Sequence, residues 1–176
     1  MDPATIRQMF FFARNEEELL SGFDLPPEAF IPLLLSIRSG GDWSYLAEGI
    51  RSVSVVEKTT LYDEREKVGR TMEAIYLIIS PEMQEQEGRV QRLEKCGEEE
   101  GRLLVVRPYR VRVQGERIVR ADVDPATRVI AVRELAEKEV VFTGSSAYGL
   151  AHEMEHMSGG PITGTGVHTF TYERRA

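Results

Sequence analysis

The sequence predicts an α+β fold in which antiparallel strands precede one helix that packs upon them. Three observations predict it. Short apolar stretches separated by turn signals fill residues 52–132, an unbroken apolar run occupies Ile75, Tyr76, Leu77, Ile78 and Ile79, and the segment GSSAYGLAHEMEHMSGG at 144–160 carries apolar residues at helical spacing.

The elements follow in order. Residues 4–20 favour a helix, with Ile6, Met9, Phe10, Ala13 and Leu20 as a partial apolar stripe interrupted by Glu16, Glu17 and Glu18. Pro26 and Pro27 open a second helix over 28–38 that Gly40 and Gly41 end, and Pro32 inside it predicts a separate first turn, because proline lacks an N–H and clashes with the preceding turn. Residues 42–51 are locally ambiguous and lead into a strand over 52–60. The charged segment 62–70 is expected as a solvated loop or hairpin end. The run at 72–80, halted by Pro81, is expected as a central strand paired with the one before it. Residues 82–101 are polar and rich in glutamate, and their composition predicts a charged loop with Cys96 in its middle. Strands resume at 103–106 and 109–113 on either side of Pro108, then at 118–123 and 128–132 after turns at 114–116 and 124–125. Residues 133–143 can begin as helix and finish as strand, and 163–172 alternate like a final edge strand.

The helix at 144–160 is bounded by Ser145 or Ser146 as cap and by Gly159, Gly160 and Pro161 as stop signals. Ala147, Leu150, Ala151, Met154 and Met157 share one side, which is predicted to be core, with Leu150 and Met154 against the sheet.

The length of 176 residues suits one domain with a sizeable core. A net charge of -7 and a pI of 5.1 argue against nucleic acid or an anionic membrane as partner. The single cysteine excludes an internal disulfide. With no signal peptide and no apolar stretch of spanning length, a cytoplasmic protein is expected.

Chemistry concentrates at His152-Glu153-Met154-Glu155-His156. Two histidines four apart on a helix face the same way and suit one metal ion, and Glu153 beside the first can exchange a proton with water at that ion. The pattern H-E-x-x-H therefore encodes metal-assisted amide hydrolysis. The third ligand stays open on the motif alone. The extended protease pattern would need a histidine at Ile162, and the remaining downstream choices are His168 and Glu173.

Three stations taken in order resemble the peptide deformylase family. Residues 76–83, YLIISPEM, are similar to the family's strand before its cysteine motif. Glu94-Lys95-Cys96 stands where E-G-C is expected, and 106–111, VRPYRV, resembles the segment after it. Gly144, Ala147, His152, Glu153, His156 and Gly159 match the spacing of the family's helix. The likeness covers about residues 42–160. It implies antiparallel sheets packed around a central helix carrying the HEMEH motif, and one domain over 1–176. It also implies Cys96, His152 and His156 as ligands of one divalent ion, iron(II) or zinc(II), with nickel or cobalt as substitutes. Glu153 is implied as general acid and base and the Gly97 N–H as an oxyanion donor. In the family's glycine-rich motif this chain has GDWSYLAEGI, and the substrate-binding place of its glutamine falls to Glu48 or Gly49. The implied reaction removes the formyl group from N-terminal formylmethionine of a peptide or nascent chain, with the ribosome as a further partner and neither nucleic acid nor membrane. The chain is expected as a monomer or weak dimer. The alternatives are another H-E-x-x-H metallopeptidase and a catalytically impaired, peptide-binding relative.

Overall fold

The structure is a computed structural model that describes residues 20–95, 101–127 and 129–167. Among the described residues it is α+β, with every strand pairing antiparallel. A short 3-10 turn at Pro27–Phe30 leads into helix α1 (Ile31–Ser39). Strands β1 (Trp43–Ala47), β2 (Ile50–Asp63), β3 (Val68–Ile79), β8 (Arg117–Asp124) and β9 (Val129–Glu134) form one sheet in the order β1-β2-β3-β8-β9. A second sheet runs β10-β7-β4, from Glu139–Thr143, Arg110–Gln114 and Glu82–Glu87. A third runs β11-β6-β5, from Thr165–Val167, Arg102–Arg107 and Val90–Glu94. Helix α2 spans Ser145–Met157. No helix among the described residues is long and apolar enough to cross a membrane.

The middle strand β3 shows why its sequence is apolar throughout. Successive side chains alternate between faces, so Ile75, Leu77 and Ile79 join α1 residues Leu33 and Leu34 in one core, while Tyr76 and Ile78 join a second core. That second core gathers Val53 and Val55 of β2, Val111 and Val113 of β7, Phe142 of β10, and Ala147, Leu150, Met154 and Met157 of α2. The predicted inward face of α2 is thus the buried one. Tyr76 meets Phe142 edge-on, with centroids 5.3 Å apart. On the α1 side of β2, Ser54 and Ser52 are small and buried, and Ser54 Oγ donates to the Pro32 carbonyl at 2.9 Å. That bond ties the proline-bearing turn to the sheet.

Several expectations change. The charged loop predicted over 82–101 contains β4 and β5. The polar residues of β4 are matched across the ladder, with Arg110 Nη1 2.8 Å from Glu87 Oε1 and Arg112 Nη2 3.3 Å from Glu85 Oε2. Opposite charges on facing strands stabilise a pairing that composition alone argues against. Residues 133–143 hold no helix and instead end β9 and form β10. Neither Ser145 nor Ser146 caps α2. The cap is Gly144, whose φ of 62° and ψ of -129° suit only glycine, and Ser146 Oγ turns to Thr143 O at 3.0 Å and Glu57 Oε1 at 3.2 Å. The predicted helix at 4–20 lies outside the described residues except for Leu20, as does most of the predicted final strand beyond Val167.

Candidate metal centre and cleft

Helix α2 brings His152 and His156 together as their spacing predicts. Their Nε2 atoms lie 3.1 Å apart, with ring planes at 70°. The outer nitrogen of His152 is also committed, since Nδ1 is 2.9 Å from Glu94 Oε2 at the end of β5. A carboxylate there accepts a hydrogen bond from Nδ1–H, which leaves the Nε2 lone pair facing His156. Two nitrogens bound at ~2.05 Å to one tetrahedral ion would stand about 3.3 Å apart, so the observed separation fits a shared cation.

Glu94 is itself held by Arg107 from β6. Arg107 is only 3% exposed, a cost that a guanidinium meets only with carboxylate partners. Its Nη2 lies 2.7 Å from Glu94 Oε2 and its Nε 3.0 Å from Oε1, a forked pair, while Nη1 is 2.9 Å from Glu155 Oε2 as an ion pair off the axis of a hydrogen bond. Burial pushes the Glu94 carboxyl up, but the hydrogen bonds and charges of Arg107 and His152 outweigh it and bring the group below its ordinary value. Glu155, the residue between Met154 and His156, therefore serves Arg107.

Glu153 takes a different environment. Ser44 of β1 donates to its Oε2 at 2.6 Å, and burial raises its carboxyl above the ordinary value despite that bond and the charge of His152. A carboxyl raised toward neutrality exchanges protons more readily near pH 7. Asp42 lies beside it, just before β1. Because β1 is much shorter than β2, the Val56 amide extends beyond the last strand pair, and Asp42 Oδ1 accepts its hydrogen bond at 2.7 Å. Burial raises the Asp42 carboxyl from 3.8 to about 6, against the lowering effects of Val56 N–H, His152 and Lys58. Gly149 of α2 leaves the room for it, since a Cβ there would overlap the Asp42 carboxylate.

These groups border a cleft of about 350 Å³ lined by Asp42, Arg92, Glu94, Ser145, Tyr148, Gly149, His152 and Glu153. Arg92 lies with its guanidinium carbon 4.4 Å from the centroid of the Tyr148 ring.

Of the residues expected at the site, His152, His156 and Glu153 are brought together. Cys96 and Gly97 lie outside the described residues, as do His168 and Glu173. Among the described residues no group of three or more His, Cys, Asp and Glu side chains is arranged to hold a metal ion. Glu48 and Gly49 form the two-residue turn between β1 and β2, with φ of 54° and 80°. They do not line the cleft; Asp42 does so, and Ser44 supports Glu153. Asp42, Ser44, Arg92 and Arg107 received no role from sequence reasoning. Only Arg107 gave a signal, an arginine ending the apolar run LLVV of a strand, which calls for a carboxylate partner.

Comparison with protein-family models, with curated proteins and with solved structures finds no match.

Proposed function

We propose that the chain is a metal-dependent hydrolase of a linear amide, a divergent relative of peptide deformylase, with an N-terminal formyl amide as the first substrate class to test. The single observation that carries this reading is the convergence of His152 and His156 Nε2 at 3.1 Å beside a half-buried Glu153. His152 and His156, with Cys96 as the third ligand, would hold one divalent ion, iron(II) or zinc(II). Such an ion supplies Lewis acidity, lowering the pKa of water and polarising a carbonyl. The remaining work belongs to the chain. Glu94 keeps the Nδ1 proton of His152, so the other nitrogen presents its lone pair, and Arg107 keeps Glu94 ionised and oriented. Glu153, steadied at Oε2 by Ser44, has Oε1 with which to accept a proton from water and return it to the leaving nitrogen. The Gly97 N–H is assigned to the developing oxyanion.

The test is formate release from formyl-Met-Ala-Ser by protein prepared anaerobically with iron(II) or nickel, with metal content measured alongside. Turnover that falls by roughly 10²-fold or more in Glu153→Ala, with metal retained, is the expected outcome. Equal turnover in Glu153→Ala, or failure to bind one ion per chain, would refute the assignment. Metal binding without turnover of formyl or other acyl peptides would instead favour a peptide-binding protein. That second reading draws support from the absence of any side-chain amide among the described residues lining the cleft.

A further inference from the structure

The lining of the cleft bears on which amide is cut. A methionine side chain gains its binding free energy by leaving water for apolar walls. Among the described residues the lining contains no aliphatic side chain, and the Tyr148 ring has Arg92 over one face. A thioether placed there would displace water from charged groups without replacing its hydrogen bonds.

The charges of the cleft are not equally available. Glu94 is paired with Arg107 and accepts a hydrogen bond from His152. Asp42 gives one oxygen to Val56 N–H, and the other abuts Gly149. Glu153 has Oε2 held by Ser44 and is assigned to proton transfer. Arg92 differs from all of these, because among the described residues it makes no ion pair and its contact is the face of Tyr148. Stacking fixes the plane of a guanidinium while leaving its edge of N–H donors free, which is the arrangement that grips a planar carboxylate with two hydrogen bonds. Position supports the same use. Arg92 and Glu94 are two apart on β5 and so share a face, about 6.5 Å from one another along the strand. A carboxylate on Arg92 and an amide at His152 and Glu153 thus border the same cleft.

We propose that the substrate is an N-acyl amino acid or peptide bearing a carboxylate on the acylated residue, bound by Arg92 on its Tyr148 platform. The inference rests on the hydrolase reading for its chemistry, but binding tests it separately. Formyl-Glu-Ala-Ser and formyl-Met-Ala-Ser are compared by kcat/KM and by calorimetric Kd on the metal-loaded protein, with Arg92→Met and Arg92→Lys beside it. The wild-type chain is expected to favour the glutamate peptide by roughly 10- to 100-fold, the range of a charge-assisted forked contact. Arg92→Met should bring the ratio near one, and Arg92→Lys should fall between. If neither peptide is turned over, the hydrolase reading fails while a Kd preference for the glutamate peptide that Arg92→Met abolishes still supports this one. A preference for methionine, equal affinities, or a ratio unmoved in Arg92→Met overturns it.

Discussion

Replacing Arg107 with methionine isolates the group that ties β5, β6 and α2 together. The arginine is 3% exposed, and its loss strands Glu94, whose side chain is 11% exposed, and Glu155, which is 33% exposed. Breaking a buried pair from one side costs about 3–5 kcal/mol, because the remaining charge keeps its desolvation cost without its partner. Glu155 is close enough to water to be screened and adds little. Most of the loss therefore comes from Glu94, and about 3 kcal/mol is expected. For a chain of this size that lowers the melting temperature by about 6–12 °C. Urea unfolding at pH 7 with a chelator present measures it without linkage to metal. Adding Glu94→Gln to Arg107→Met removes the stranded charge, while the amide oxygen still accepts from His152. The double variant should recover 1 kcal/mol or more, roughly, giving a clear coupling energy in the cycle. A loss below about 1 kcal/mol for Arg107→Met, or strict additivity of the two changes, would refute the reasoning.

Asp42 gives a pH-dependent prediction. Its carboxyl is raised in the fold from 3.8 to about 6, so its favourable contribution is complete below pH 3.8 and is lost as pH rises through about 6. In metal-free protein Asp42→Asn should match the wild type near pH 4 and exceed it by about 2–3 kcal/mol at pH 8 in denaturant titrations; a gap that narrows with rising pH contradicts this. Gly149→Ala should destabilise by roughly 1–3 kcal/mol despite alanine's better helix propensity, since the new methyl displaces the carboxylate from Val56 N–H; a rise in melting temperature would show the contact to be loose. Cys96→Ala should abolish tight binding of zinc measured by competition with a chelator. Unchanged affinity would move the third ligand elsewhere. Glu94→Gln should weaken the same affinity by about 10- to 100-fold through loss of the carboxylate charge behind His152, and no change would mean that a neutral acceptor at this position suffices.

Legibility in the sequence followed the range of the interactions concerned. Helix α2 and its buried side were readable because the period of Ala147, Leu150, Met154 and Met157 is local, and β3 because an apolar run bounded by Pro81 needs two covered faces. Pro32 marked the turn before α1 through its own missing N–H. Strands β4 and β5 were hidden because the partners that make their charges acceptable lie on other strands, Arg110 and Arg112 of β7 for β4 and Arg107 of β6 for β5. The site divided in the same way. His152, Glu153 and His156 form a pattern within five residues. The groups that give them tautomer, orientation and proton affinity come from Ser44, Glu94 and Arg107, and no spacing rule links those positions to the helix.

The bond between His152 and Glu94 joins positions 58 apart in the chain. A helix that has formed before β5 docks would carry both histidines with their protons unassigned. Capture of the proposed ion would then report tertiary closure, and the free energy of binding it would add to that of folding. Under the proposed metal site, partly folded chains would be kept from scavenging metal, and retention of a single equivalent through dialysis would measure how much of a preparation has reached its native arrangement.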